Sequence, residues 1–148
     1  MNGIKMKDCR FYVDESARTV VCVIPRTREM VKNFIWENFR FTDTNMYAAM
    51  DYPMIKALDM PKSFTGKAVC AAEDEWDENT GRLIAYARAK DKCYKSFFKR
   101  ANKFVQTVDR RLGDMIERFN DFGVKLEDNR EGMQQRIDEL TGVIESGE

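Results

Sequence analysis

The feature that most constrains this chain is an apolar series in its second half. Leu83, Ala87, Tyr94, Phe97, Ala101, Phe104, Val108, Leu112, Met115, Phe119 and Phe122 recur at steps of three, four and seven. Turned at 100° per residue they fall within one stripe about 100° wide, which is the mark of an amphipathic helix starting near Glu78. Gly123 is a natural stop for that helix. A second helix is predicted from about Arg130 to Ile144, where Met133, Ile137, Leu140 and Ile144 are spaced like a short coiled-coil seam.

A helix from Glu78 to Phe122 would be about 67 Å long. A compact domain of 148 residues has a radius of gyration near 15 Å, and so a diameter of roughly 40 Å. The helix therefore either breaks, with Gly113 the favoured place, or projects from the body. A projecting helix cannot leave a continuous aromatic stripe in water. It must fold back on the last helix or pair with another chain. Both are expected, and hence a homo-oligomer.

The first half reads differently. Cys9–Val13 and Arg18–Ile24 are predicted strands, the second built on the apolar run Val20–Ile24, with the polar Asp14–Ala17 as a hairpin connection. Pro25 ends the second strand. A helix is predicted from Thr27 to Phe39, with Met30, Phe34 and Ile35 on one side and Val31 and Phe39 close by. Arg40–Lys62, which holds Tyr47, Met50, Met54, Leu58 and Met60, is expected to form short helical turns packed on the core. Ser63–Ala71 reads as a third strand, with Gly66 a candidate bulge. The expected fold class is α+β: a small antiparallel sheet with one packed helix, followed by long C-terminal helices that mediate oligomerisation. Residues 1–148 form a single domain in this reading, with 1–75 as sheet-and-helix core and 76–148 as its helical part.

Composition removes several chemistries. The chain has no His, so the commonest metal ligand and the commonest neutral-pH acid–base are missing. The four cysteines, Cys9, Cys22, Cys70 and Cys93, show no C-x-x-C spacing, and a zinc site would need all four. They read as small buried thiols in a reduced compartment. With Asp14–Ala17 as the turn, Cys9 and Cys22 fall directly opposite each other, close enough to oxidise in vitro. No apolar run reaches the roughly 18 residues of a membrane span, and Met1–Arg10 lacks the apolar core of a signal peptide. The chain is expected to be soluble and cytosolic. It carries no phosphate-loop, dinucleotide-fold or nucleophile-elbow motif, and no His to activate Ser or Cys. Catalysis, a metal and a cofactor are not expected.

Charge is segregated although the total is zero, with 25 bases against 25 acids. Residues 71–81 carry five acids and no base. At a helix start, Asp74, Asp77 and Glu78 serve as caps and oppose the macrodipole; a carboxylate metal site is the sharper alternative. Residues 82–111 carry ten bases against Asp91 and Asp109, and residues 127–148 carry seven acids and two bases. Arg88, Lys92, Lys95, Lys99, Lys103 and Arg110 share a helical sector of about 80° opposite the apolar stripe, flanked by Arg82, Arg100 and Arg111. This is either a solvated face or an anion site. Lys90 falls inside the apolar stripe, which suggests that it lines an interface or pocket. The neutral total and the lack of a helix-turn-helix or zinc pattern argue against a nucleic-acid partner.

Gly66-Lys67-Ala68-Val69-Cys70, then Glu73-Asp74-Glu75-Trp76-Asp77, Gly81, Ile84-Ala85 and Arg88-Ala89, resemble a strand–acidic turn–helix element, G-x-A-x-C…[ED]-D-x-[FW]-D-x-x-x-G-x-x-[IL]-A-x-x-[RK]-A. It occurs in small proteins of phages and mobile elements of Gram-positive bacteria, whose opening strands the hairpin FYVDESARTVVCVI also resembles. The match covers about a third of the chain. The overall plan most resembles the Thoeris anti-defence family of phage sponges, which sequester cyclic ADP-ribose signals or other cyclic nucleotides without chemistry, in pockets formed as subunits associate. The resemblance implies a small cyclic nucleotide ligand in the host bacterial cytosol. It would assign Trp76 to stacking on a base, and Arg82, Arg88, Lys99, Arg100 and Lys103 to phosphates. A phage inhibitor that covers a host defence protein, such as a CRISPR effector, is the alternative, and a nucleic-acid-binding accessory protein the third reading. An interface pocket lined by Arg and an aromatic would favour the sponge; an acidic exposed face without one would favour the inhibitor.

Overall fold

The computed structural model describes residues 3–38 and 51–145, with side chains as far as residue 142. Tyr47, Met50 and Phe39, named in the sequence reading, lie outside the described residues, and Ile144 lies beyond the described side chains. The chain divides into two compact units, Met1–Val105 and Gln106–Glu148. The architecture is α+β, as the sequence predicts.

In the first unit, a 3-10 turn (Met6–Asp8) leads into β1 (Arg10–Asp14) and β2 (Thr19–Pro25). Then follow α1 (Met30–Asn38), α2 (Tyr52–Ala57), β3 (Ser63–Val69) and the start of α3 (Glu78–Glu145). The three strands form one antiparallel sheet in the order β1-β2-β3. Along β2, Val20, Cys22 and Ile24 are buried while the alternate residues are half-buried, so one face is packed and the other faces solvent. The β2–β3 ladder runs without interruption through Cys22↔Gly66, so Gly66 is not a bulge.

The hairpin register differs from the sequence reading. The connection is Glu15–Arg18, and Phe11, not Cys9, stands opposite Cys22. The Asp14 carboxylate causes this: its Oδ1 accepts from Ser16 Oγ (2.6 Å) and from the Ala17 amide (2.9 Å), so Asp14 closes β1 instead of opening the turn. Arg18 then takes a left-handed backbone, φ 48°, to re-enter the ladder. A two-residue slip keeps every side chain on its face. Cys9 and Cys22 are therefore still close enough to influence each other, and all four cysteines are free.

What packs on the sheet is a ridge of small residues on α3. Gly81, Ala85, Ala89 and Cys93 recur every four residues, on one row of the helix surface. Ala85, Ala89 and Cys93 are fully buried. A Cβ on Gly81 would lie 2.8 Å from Val20 Cγ2, and one on Gly66 would overlap the backbone of Ala85 and Ala89. The row widens at Phe97 and Phe104, both buried. Phe97 meets Phe34 of α1 edge-on at 5.3 Å, beside buried Val31 and Ile35. Leu58 and Met60, just after α2, complete the core. Leu83 and Ala87, placed in the apolar stripe by the sequence reading, are exposed, because the helix turns its small side toward the sheet. The Lys90 ammonium lies 5.4 Å and 5.6 Å from the Tyr86 and Tyr94 ring centres.

The larger correction concerns the helices. The predicted break at Gly113, the stop at Gly123 and the separate helix from Arg130 do not occur: α3 is one element of 68 residues. A glycine costs about 1 kcal/mol inside a helix, which the strong helix formers around each one outweigh. A C-terminal glycine cap requires positive φ, and no described glycine has it. In the second unit, taken by itself, every side chain described is exposed except half-buried Thr107.

Candidate functional site

The turn between β3 and α3 is held from both ends. Asp77 caps α3, its Oδ1 accepting from the Asn79 amide (2.9 Å) and its Oδ2 from Thr80 Oγ1 (2.6 Å). The Thr80 hydroxyl, before the backbone amides, holds this carboxyl below the usual carboxylate range. The capping role expected of Asp77 is thus the geometry found. Arg18 reaches over from the hairpin, and its Nη2 donates to Cys70 Sγ (3.1 Å) and to the Asp74 carbonyl. Its Nε is buried without a hydrogen-bond partner among the described residues.

Behind this turn is a cavity of about 320 Å³. Val20, Ala68 and Ile84 supply its apolar side, half-buried Trp76 lines it, and Asp74, Glu75 and Asp77 supply its charge. No Arg or Lys lines it. Trp76 therefore sits among carboxylates, which repel a phosphate.

The bases assigned to phosphates do not gather beside it. Arg82 pairs with Glu78 (2.6 Å) and lies over the Phe11 ring at 5.1 Å. Arg88 Nη1 donates to the Lys67 carbonyl (2.7 Å) and Lys92 Nζ to the Thr65 carbonyl (3.0 Å). The Cys70 amide bonds to the Arg18 carbonyl, so the even-numbered groups of β3 face β2 and the odd-numbered ones face outward. Arg88 and Lys92 therefore cap the open edge of the sheet and block addition of another strand. Arg100 donates through Nε to the Asp59 carbonyl (2.8 Å) and through Nη1 to Ser96 Oγ (2.5 Å), tying α3 to the residues after α2. Lys99 and Lys103 are exposed on α3. From Trp76 to Lys103 the helix rises by roughly 40 Å, so within one protomer these six residues do not meet one small ligand.

Positive charge and concavity coincide elsewhere. A second cavity, about 400 Å³, lies between the N-terminal segment and the corner after β2. Lys5, Lys7 and Arg26 line it against a single acid, Asp8, and Ile4, Ile24 and Met30 give it an apolar side. Tyr86 fixes the N-terminal wall by donating to the Ile4 carbonyl (2.7 Å). The opposite corner is pinned by buried Thr27, whose hydroxyl donates to the Pro61 carbonyl (2.5 Å). Arg26 holds a left-handed backbone, φ 58°, unusual for a residue with a Cβ and the kind of local strain that recurs at binding sites. The sequence reading missed this cavity. Its bases come from two short segments with no shared period, and only folding brings Lys5 and Lys7 to Arg26.

Among the described residues, no group of Cys, Asp and Glu is placed to hold a metal ion, and no helix is long and apolar enough to cross a membrane. No family model, no curated protein and no solved structure matches the chain.

Proposed function

We propose that this chain is a non-enzymatic counter-defence protein of phage type, which assembles through α3 and sequesters a phosphate-bearing cyclic nucleotide signal in the host cytosol. The observation that carries this reading is the N-terminal cavity, where Lys5, Lys7 and Arg26 outnumber Asp8 around a space of about 400 Å³. Arg26 is its best donor, because a planar guanidinium meets two phosphate oxygens at once. Ile4, Ile24 and Met30 offer an apolar surface to a base. The likeness of the β3–turn–α3 element to those of mobile-element proteins supports the class. Assembly is supported by the apolar side chains that α3 exposes beyond residue 105. Burying each stabilises by roughly 2 kcal/mol, and the eleven among the described residues exceed an association cost of about 4–15 kcal/mol.

Calorimetry against cyclic mono-, di- and trinucleotides and cyclic ADP-ribose isomers tests it, with chromatography of the released ligand. The expected result is binding that weakens with salt, recovery of intact ligand, and affinity about ten- to a hundredfold lower in Arg26→Ala. No binding at millimolar ligand overturns it.

The inhibitor reading is favoured by a different observation. The Trp76 cavity presents Asp74, Glu75 and Asp77 and no Arg, an acidic surface suited to a basic patch on a protein. Glu75→Lys with Asp74→Lys would then abolish counter-defence activity and leave nucleotide binding unchanged.

A further inference from the structure

The second unit, Gln106–Glu148, carries a strict seven-residue repeat on α3. Leu112, Phe119, Leu126, Met133 and Leu140 occupy one core position of five successive heptads; Val108, Met115 and Phe122 occupy the other. All are exposed in the protomer, from 38% at Val108 to 74% at Phe119. The second position then turns polar, with Asn129 and Arg136.

We infer that this seam docks a second copy of the chain running antiparallel. The inference rests on the assembly part of the proposed function and not on its ligand. Charge complementarity sets the direction. A parallel pair would place Arg136 beside the partner's Arg136 inside the seam. It would also lay two 127–142 segments together, each with five acids against Arg130 and Arg136. Like charges so placed oppose association.

Reversing one chain removes the Arg136 conflict and eases the acidic one; Asn129 then faces the partner's Phe119. With the two seams fully overlapped, Leu140 faces Val108 of the partner subunit and Met133 faces the partner's Met115. Leu126 faces the partner's Phe122. Arg136 then lies beside the partner's Leu112, where its stem can cover apolar surface while the guanidinium reaches water. Glu139 comes beside the partner's Arg111, so opposite charges flank the seam. The acidic segment then lies along residues 106–121, where Arg110, Arg111 and Arg118 stand against four acids, a less acidic neighbour than its own copy. Gly123 falls beside Gly123 of the partner subunit, where a Cβ would have had to fit between two helices.

The full-length chain tests this in two measurements. Sedimentation at micromolar concentration should give twice the protomer mass, and Leu112→Asp with Phe119→Asp should give the protomer mass, since both side chains are exposed and outside the core. For direction, Val108→Cys and Leu140→Cys proteins are mixed and oxidised mildly. A covalent dimer should form in the mixture and not in Leu140→Cys alone, above the wild-type background. Self-linking of Leu140→Cys without gain in the mixture overturns the antiparallel arrangement while leaving assembly intact. A monomeric wild type overturns assembly itself.

Discussion

Gly66 of β3 lies against the backbone of Ala85 and Ala89 on α3, so close that a Cβ on the glycine would overlap the Ala85 carbonyl oxygen and the Ala89 amide nitrogen. The close approach of helix to sheet is made possible by three small residues meeting at one point. It also accounts for part of the G-x-A…G-x-x-[IL]-A-x-x-[RK]-A pattern. Gly66, Gly81, Ala85 and Ala89 are contact residues, and Arg88 caps the strand edge.

Gly66→Ala should therefore be among the more damaging single changes in the chain. The atoms in its way are backbone, which no rotamer change can move, so the cost should approach the upper end of overpacking penalties, roughly 3 kcal/mol. Chemical denaturation should show a lower midpoint at unchanged slope. Gly113→Ala, where a Cβ meets nothing within 4 Å, should be neutral or slightly stabilising.

The contrast between these glycines shows what was legible beforehand. The antiparallel strands and the start of α3 at Glu78 followed from residue pattern alone, because each is a local property. The helix stops did not. Gly113 and Gly123 look like ends in a one-dimensional reading, yet nothing in the fold requires a turn there, and single glycines do not break a helix with strong formers on both sides. The site was less legible still. Arg82, Arg88 and Arg100 share a charged sector, but a helical wheel does not reveal that Glu78, the Lys67 carbonyl and the Asp59 carbonyl will engage them. Lys5, Lys7 and Arg26 have no common period and so gave no signal.

Asp59 should set part of the acid limb of stability. Lys32 and Arg28 both pair with it, and the Lys32 ammonium first, then the Arg28 guanidinium, hold its carboxyl below the usual carboxylate range. A depressed value in the folded state means that folding favours the charged form. The stabilisation is thus full above about pH 4 and is lost as pH falls through the folded value. Asp14 and Asp77 are shifted in the same direction, so the diagnostic is a difference. Asp59→Asn should be less stable than wild type at pH 7, and the gap should narrow steadily toward pH 2 in denaturation series. A gap independent of pH would mean that the pair adds nothing.

The thiols should separate into two classes. Cys22 and Cys93 are fully buried. Burial pushes the Cys22 thiol up to about 12, with Cys9 adding to the shift, and the Cys93 thiol to about 11. Since the thiolate is the nucleophile, neither should react with a maleimide in the native protein at pH 7, whereas half-buried Cys9 and Cys70 should, Cys9 slowly because burial pushes its thiol up too. Peptide mapping by mass spectrometry should find label on Cys22 and Cys93 only after unfolding. The same shifts act on stability at the other end of the pH scale. The folded state keeps these protons when the unfolded chain, near its ordinary value of 9.0, has begun to release them. Stability should therefore fall as pH rises from about 9 toward the folded values. Cys22→Ala should lose part of that alkaline limb, and native labelling of Cys93 would show instead that the contact between α1 and α3 opens under ordinary conditions.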